Sequence, residues 1–298
     1  MARELKGLIF PIVTPFTPSF ELDEEKLREE IGYLLDKSIH GFLVNGSTGE
    51  CLSLSSQERQ RIIEIVAQMC KGKVPIIAGV EDSATSKAVV EAKLARNAGA
   101  DAALVVTPPY LKPTFEGIFR HYEQVNQAGV PFLLYNNPFR TGFTLSPQMI
   151  DKLTTLNNAI GLKQSEENLS NTAEIIRLVD NKISVIHSYG RLSMFPGLLF
   201  GGKGAMPQIF FFAPEKVHEL YEAVKSGNAE RARKIWFELL PLEEAIGGVH
   251  GEPNPVPFKE AMRIAGYPMG PCRLPLTPAT EDTSKRIEKI FRDYKLIK

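Results

Sequence analysis

Short, continuous apolar runs alternate with amphipathic stretches along most of this 298-residue chain. The runs lie at 7–13, 41–45, 74–80, 102–107, 131–136, 159–164, 183–188 and 204–208. Their unbroken apolarity marks strands covered on both faces, as in a parallel sheet. Helical stripes separate them. Leu27, Ile31, Leu34 and Leu35 share one face of the first, and Ser55-Ser56-Gln57-Glu58 opens the second as a capping box. A third spans 85–98 and stops at Gly99, a residue suited to a left-handed cap. Further helices are expected at 115–126, 146–156, 169–179, 193–200 and 214–226.

Eight strands, each followed by a helix, predict an α/β chain built as a (β/α)8 TIM barrel. The seventh and eighth strands are the shortest and richest in glycine. A doubly wound sheet is the alternative, but Pro11-Ile12-Val13-Thr14-Pro15 is not the Gly-rich phosphate loop such a fold carries after its first strand. Beyond Gly227 the rhythm changes: 229–246, 257–265 and 280–294 read as helices with no strands between. The expected organisation is a catalytic barrel over 1–226 and a C-terminal helical extension over 227–298 packed on it.

Composition narrows the class. Lys+Arg and Asp+Glu both number 35, so zero net charge gives no pull toward nucleic acid or anionic membrane. No apolar run is long enough to span a bilayer, and the first residues carry no signal-peptide core. Cys51, Cys70 and Cys272, an odd number without close pairing, point to a reducing cytoplasm.

In a barrel, chemistry gathers at the C-terminal ends of the strands. Those ends give Thr14, the loop from Asn45 to Glu50, Gly79, Thr107-Pro108-Pro109-Tyr110, Tyr135-Asn136, Lys163, Ser188 and Met206. Lys163 ends a short apolar strand. Either its ammonium reaches solvent, or it is desolvated and its free amine can attack a carbonyl. Gly46-Ser47-Thr48-Gly49-Glu50 is an ordinary turn or a set of N–H groups converging on a carboxylate. Tyr135 is a core tyrosine or a proton carrier facing Lys163. Arg140 is a solvated loop residue or a bidentate partner for a second carboxylate. The five histidines are scattered, with only His187 near a strand end, so a metal-dependent aldolase or hydrolase is not expected.

Four motifs occur together: Gly46-Ser47-Thr48-Gly49-Glu50, Thr107-Pro108-Pro109-Tyr110, Tyr135-Asn136-Asn137-Pro138 and Gly161-Leu162-Lys163. In order and spacing the chain resembles the class I pyruvate-dependent aldolases, which include dihydrodipicolinate synthase and N-acetylneuraminate lyase. The likeness runs from about Lys6 to the C-terminal helices and includes Asn254-Pro255-Val256-Pro257.

The resemblance implies a Schiff base between Lys163 and pyruvate, with Tyr135 as general acid/base. Ser47 or Thr48 would link it to Tyr110 in a proton relay. It implies that the backbone from Gly46 to Gly49 holds the pyruvate carboxylate, and that Met206 lies in the wall near the aldehyde. No cofactor or metal is implied, only the covalent lysine imine. Tyr110 reaching into a neighbouring subunit implies a homodimer or homotetramer.

Arg140 matches the arginine that dihydrodipicolinate synthases use for the carboxylate of aspartate semialdehyde. That implies formation of 4-hydroxy-tetrahydrodipicolinate, a step of lysine biosynthesis. Three departures keep a sugar-derived 2-keto acid (N-acetylneuraminate or 2-keto-3-deoxygluconate type) as the alternative. Ser47 replaces a threonine, Pro109 replaces a tyrosine that helps bind feedback lysine, and Gly204-Ala205-Met206-Pro207 replaces Gly-Val-Ile-Ser. A non-catalytic keto-acid-binding relative is the reading of another class.

Overall fold

The computed structural model describes residues 5–188, 194–247 and 252–298. Strands β1 (Gly7–Pro11), β2 (Gly41–Val44), β3 (Ile76–Val80), β4 (Ala102–Val106), β5 (Phe132–Asn136), β6 (Ala159–Gln164), β7 (Ser184–His187) and β8 (Gly204–Ala205) each pair in parallel with the next. β8 pairs back onto β1, so the expected barrel is closed.

Helices α1 (Glu24–Asp36), α2 (Ser56–Cys70), α3 (Thr85–Asn97) and α4 (Phe115–Gln127) follow the first four strands. After β5 come α5 (Pro138–Thr141) and α6 (Pro147–Leu153), then α7 (Leu169–Val179) after β6 and α8 (Met194–Leu199) after β7. β8 leads to α9 (Pro214–Lys225), and α10 (Ala229–Ile246), α11 (Val256–Ile264) and α12 (Glu281–Asp293) complete the chain. The expected first residue of α8, Ser193, lies outside the described residues.

Local chemistry accounts for most boundaries. Ser55 accepts from the Glu58 N–H and Glu58 bonds back to the Ser55 N–H, which is the expected capping box. Gly99 takes φ +110 behind α3, where a Cβ would come within 2.8 Å of the Ala67 methyl. Two departures from the expected boundaries have a local chemical cause. β8 is only two residues long because Pro207 has no N–H to extend the ladder, and a 3-10 turn (Gln208–Phe211) follows. The segment read as a loop after β5 contains α5, a single turn with Pro138 at its start and the Asn137 side chain accepting from the Arg140 N–H. Four residues are too few to show a helical period.

The core has two layers. Ile9, Leu43, Ile77, Leu104, Leu133 and Ile186 fill the barrel interior. Outside it, Phe10 meets Phe210, Phe211 and Phe258, and one apolar cluster runs from these rings through Trp236 and Leu239 of α10 to Ile287 and Phe291 of α12. Each such side chain contributes about 1.5–3 kcal/mol on burial, which fastens the C-terminal helices to β1 and the turn after β8. α1 departs from its expected face: Leu35 is only half-buried, whereas Glu30 is buried and its Oε1 accepts from the Val13 N–H at 3.2 Å. Burial pushes the Glu30 carboxyl up to about 8.

Candidate active site

Alternate residues of each strand face the barrel interior, so parity identifies what lines its mouth. Leu133 and Tyr135 of β5 are inward, and Tyr135 pairs directly with Lys163 of β6. Lys163 is 5 % exposed, which rules out an ammonium extended into solvent. Its Nζ donates to the Tyr135 Oη at 3.3 Å and lies 4.3 Å from the ring centroid. Asn137 Nδ2 also donates to that oxygen, at 2.8 Å, leaving the phenol its own O–H to give away. Among the described residues no carboxylate lies within ion-pair distance of Lys163.

The loop after β2 crosses the mouth. Asn45 (φ 52) and Glu50 (φ 53) both adopt left-handed backbone, bracketing a 3-10 turn (Ser47–Gly49). The Asn45 carbonyl rests on Gly79, where any Cβ would lie 2.1 Å from the oxygen. Gly79 is therefore the seat on which this loop sits. The Thr14 hydroxyl donates to the Gly49 carbonyl at 2.6 Å, so this strand-end hydroxyl holds the loop. Gly49 N–H closes the turn onto the Gly46 carbonyl, while the N–H groups of Ser47 and Thr48 have no acceptor among the described residues. Two adjacent free amides suit one carboxylate.

Inward parity on β3 gives Ile77, Gly79 and then Glu81, a carboxylate the sequence reading passed over. Glu81 is 9 % exposed and accepts from the Ser47 hydroxyl with both oxygens, at 2.9 and 3.1 Å. The Cys51 thiol lies beside it, and burial together with the Glu81 charge pushes that thiol up. Counting parity along β3 was the available signal.

The remaining site residues spread around the rim. Met206 joins the inward cluster with Tyr135. Thr48 Oγ1 accepts from Gln208 Nε2 at 3.4 Å, Gln208 Oε1 accepts from Asn254 Nδ2 at 2.7 Å, and the Asn254 carbonyl accepts from Arg140 at 3.4 Å. Arg140 is otherwise exposed. Tyr110 is 92 % exposed and makes no hydrogen bond to Ser47 among the described residues. His187 has outward parity, with its ring against Gly197 and Gly202, and burial lowers it to about 4. Pro257's neighbourhood matters differently: Lys259 of α11 donates to buried Glu50 at 2.7 Å and to the Pro271 carbonyl at 3.0 Å. Glu50 also accepts from the Arg273 N–H, and the Arg273 guanidinium pairs with Glu58, holding that carboxyl at about 2. His250 lies outside the described residues.

A closed parallel barrel with a buried lysine and phenol at its C-terminal mouth defines a (β/α)8 protein of the lysine-centred kind. The chain belongs to the dihydrodipicolinate synthetase family, whose profile matches residues 4–293. It is 37 % identical to a 4-hydroxy-tetrahydrodipicolinate synthase of Methanopyrus kandleri over 300 residues, covering 100 % of this chain and 99 % of that protein. A protein of the same name from Archaeoglobus fulgidus is 34 % identical over 293 residues, covering 98 % and 99 %. The crystal structure of a dihydrodipicolinate synthase from Thermotoga maritima superposes with a TM-score of 0.94 at 30 % identity, covering 99 % of this chain and all of that one. No helix of the described residues is long and apolar enough to cross a membrane.

Proposed function

We propose that this chain is a Schiff-base lyase that condenses pyruvate with L-aspartate 4-semialdehyde to give 4-hydroxy-tetrahydrodipicolinate. The observation that carries the reading is Lys163, buried at the barrel mouth with a phenol and, among the described residues, no counter-charge. Full-length relatives bearing that synthase name support it. The amine of Lys163 attacks the keto carbon, and the iminium then serves as an electron sink for the methyl carbon. Tyr135 takes up the proton released from the pyruvate methyl carbon, and Ser47 is the next hydroxyl along. The free amides of Ser47 and Thr48, set by Gly46 and Gly49, hold the pyruvate carboxylate. Arg140 takes the carboxylate of the aldehyde and Met206 walls its path. The reaction needs no cofactor beyond the lysine imine.

Tyr110 is proposed to enter the site of a second copy as the solvent-side end of the relay. Exposed Leu52, Tyr110 and Leu111, in the loops after β2 and β4, favour a homodimer or homotetramer. The cysteines are unpaired, in keeping with a cytoplasmic enzyme. One observation favours a hydroxylated 2-keto acid instead: Ser165, inward two residues after Lys163, is buried with its hydroxyl unpartnered. Borohydride with pyruvate should add a covalent mass at Lys163, and an unlabelled lysine overturns the mechanism. A panel of aspartate semialdehyde with pyruvate against cleavage of N-acetylneuraminate and 2-keto-3-deoxygluconate decides the second substrate.

A further inference from the structure

The carboxylate of Glu81 stands where the site so far described has no use for it. Val80 pairs with Val105, so the next inward pair sets Glu81 beside Val106, which pairs with Tyr135, which pairs with Lys163. Glu81, the residue directly after β3, and Val106, Tyr135 and Lys163 of the next three strands thus stand near one level of the mouth. With neighbouring strands about 4.8 Å apart, the Glu81 and Tyr135 backbones lie roughly 10 Å from each other, a gap two side chains can bridge. Among the described residues Glu81 has no lysine or arginine within ion-pair distance; its partners are the Ser47 hydroxyl and the Cys51 thiol. A buried carboxylate is costly without compensation, and hydroxyl donors compensate less than a cation does. Ser47, committed as a donor to Glu81, turns its lone pairs to whatever else approaches.

We propose that Glu81 is the proton store of the relay, taking through Ser47 the proton that leaves the pyruvate methyl group and returning it to the aldehyde oxygen. The inference rests on the imine reading above. As the methyl C–H bond breaks, its electrons form the enamine double bond and the iminium nitrogen takes up the pair of the C=N bond. The proton passes to the Tyr135 Oη, the phenol proton to the Ser47 Oγ, and the Ser47 proton to the Glu81 carboxylate. No phenolate accumulates. When the enamine carbon attacks the aldehyde, the same protons run back and neutralise the new alkoxide. The slight exposure of Glu81 lets its stored proton trade with water, so the store is visible from outside. Glu81 acts through Ser47 and is a positioning residue rather than a substrate contact.

Glu81→Gln keeps an oxygen to accept from Ser47 but cannot take its proton. Exchange of the pyruvate methyl protons in D2O, followed by proton NMR without aldehyde, should slow roughly 100-fold in this variant. Borohydride should still label its Lys163. Glu81→Asp should retain clearly more exchange than Glu81→Gln, and adding Glu81→Gln to Ser47→Ala should cost nothing further. Exchange in Glu81→Gln within about twofold of wild type overturns the proposal, as do equal losses in the Asp and Gln variants. If the wild-type enzyme neither exchanges nor labels Lys163, the imine reading fails instead.

Discussion

Lys163 and Lys259 are almost equally buried, at 5 % and 4 % exposure, in opposite company. Lys163 faces a phenol that already accepts a second hydrogen bond. Lys259 is held by the Glu50 carboxylate, the Pro271 carbonyl and the face of Phe16, 4.6 Å from its Nζ. A buried ion pair holds the ammonium in place, so Lys259 is a fastener. A lysine at the mouth without such a partner is available for chemistry. Burial alone does not distinguish the two roles; the charge of the nearest oxygen does.

The comparison breaks most sharply under substitution of each lysine. Lys163→Ala should abolish pyruvate labelling and turnover while leaving the unfolding midpoint close to wild type, because no charged partner is orphaned. A large stability loss measured in urea would make Lys163 structural. Lys259→Met should do the reverse, costing about 3–5 kcal/mol by stranding the Glu50 carboxylate in the core. Pairing it with Glu50→Gln should recover part of that loss, and a Lys259→Met variant as stable as wild type would dissolve the contrast.

Arg140→Ala should reduce condensation with aspartate semialdehyde about 10–100-fold, as expected for losing a charged hydrogen-bonded contact, while borohydride trapping of pyruvate persists. Equal losses in both steps would leave Arg140 only its contact with Asn254. The smallest effect belongs to Glu30, which lies in the field of Lys259. Its folded value, raised to about 8 from 4.5, means the native state binds a proton the unfolded chain has released. That contribution is fully present below 4.5 and is lost as pH rises through 8. Glu30→Gln should therefore flatten the decline in stability between pH 4.5 and about 8 seen in denaturation at a series of pH values; an unchanged slope would acquit Glu30.

Much of the fold and part of the site were legible in the sequence. Apolar runs located all eight strands, since burial on both faces leaves a continuous signal, and Ser55 to Glu58 announced its cap. Lys163 and Tyr135 were found because strand ends can be counted. Glu81 escaped because one acidic residue after a glycine reads as a loop until the inward parity of Ile77 and Gly79 is followed. The Glu50–Lys259 pair could not be found at all: its partners stand 209 residues apart, and no local pattern encodes such a meeting. Tyr110 is a third case, a residue whose proposed work depends on a second copy and so leaves no trace within one chain.

That 209-residue separation has a consequence for synthesis. Glu50 closes the turn presenting Ser47 and Thr48, yet its cation arrives only with α11 and its other donor, the Arg273 N–H, later still. On the ribosome the barrel strands emerge first, and domains gain structure as they emerge. The nascent chain therefore carries a mouth loop with an unmatched carboxylate until the last helices are released. The turn proposed to hold the pyruvate carboxylate thus gains its buried cation only once α11 has emerged, which makes the C-terminal helices its last structural support.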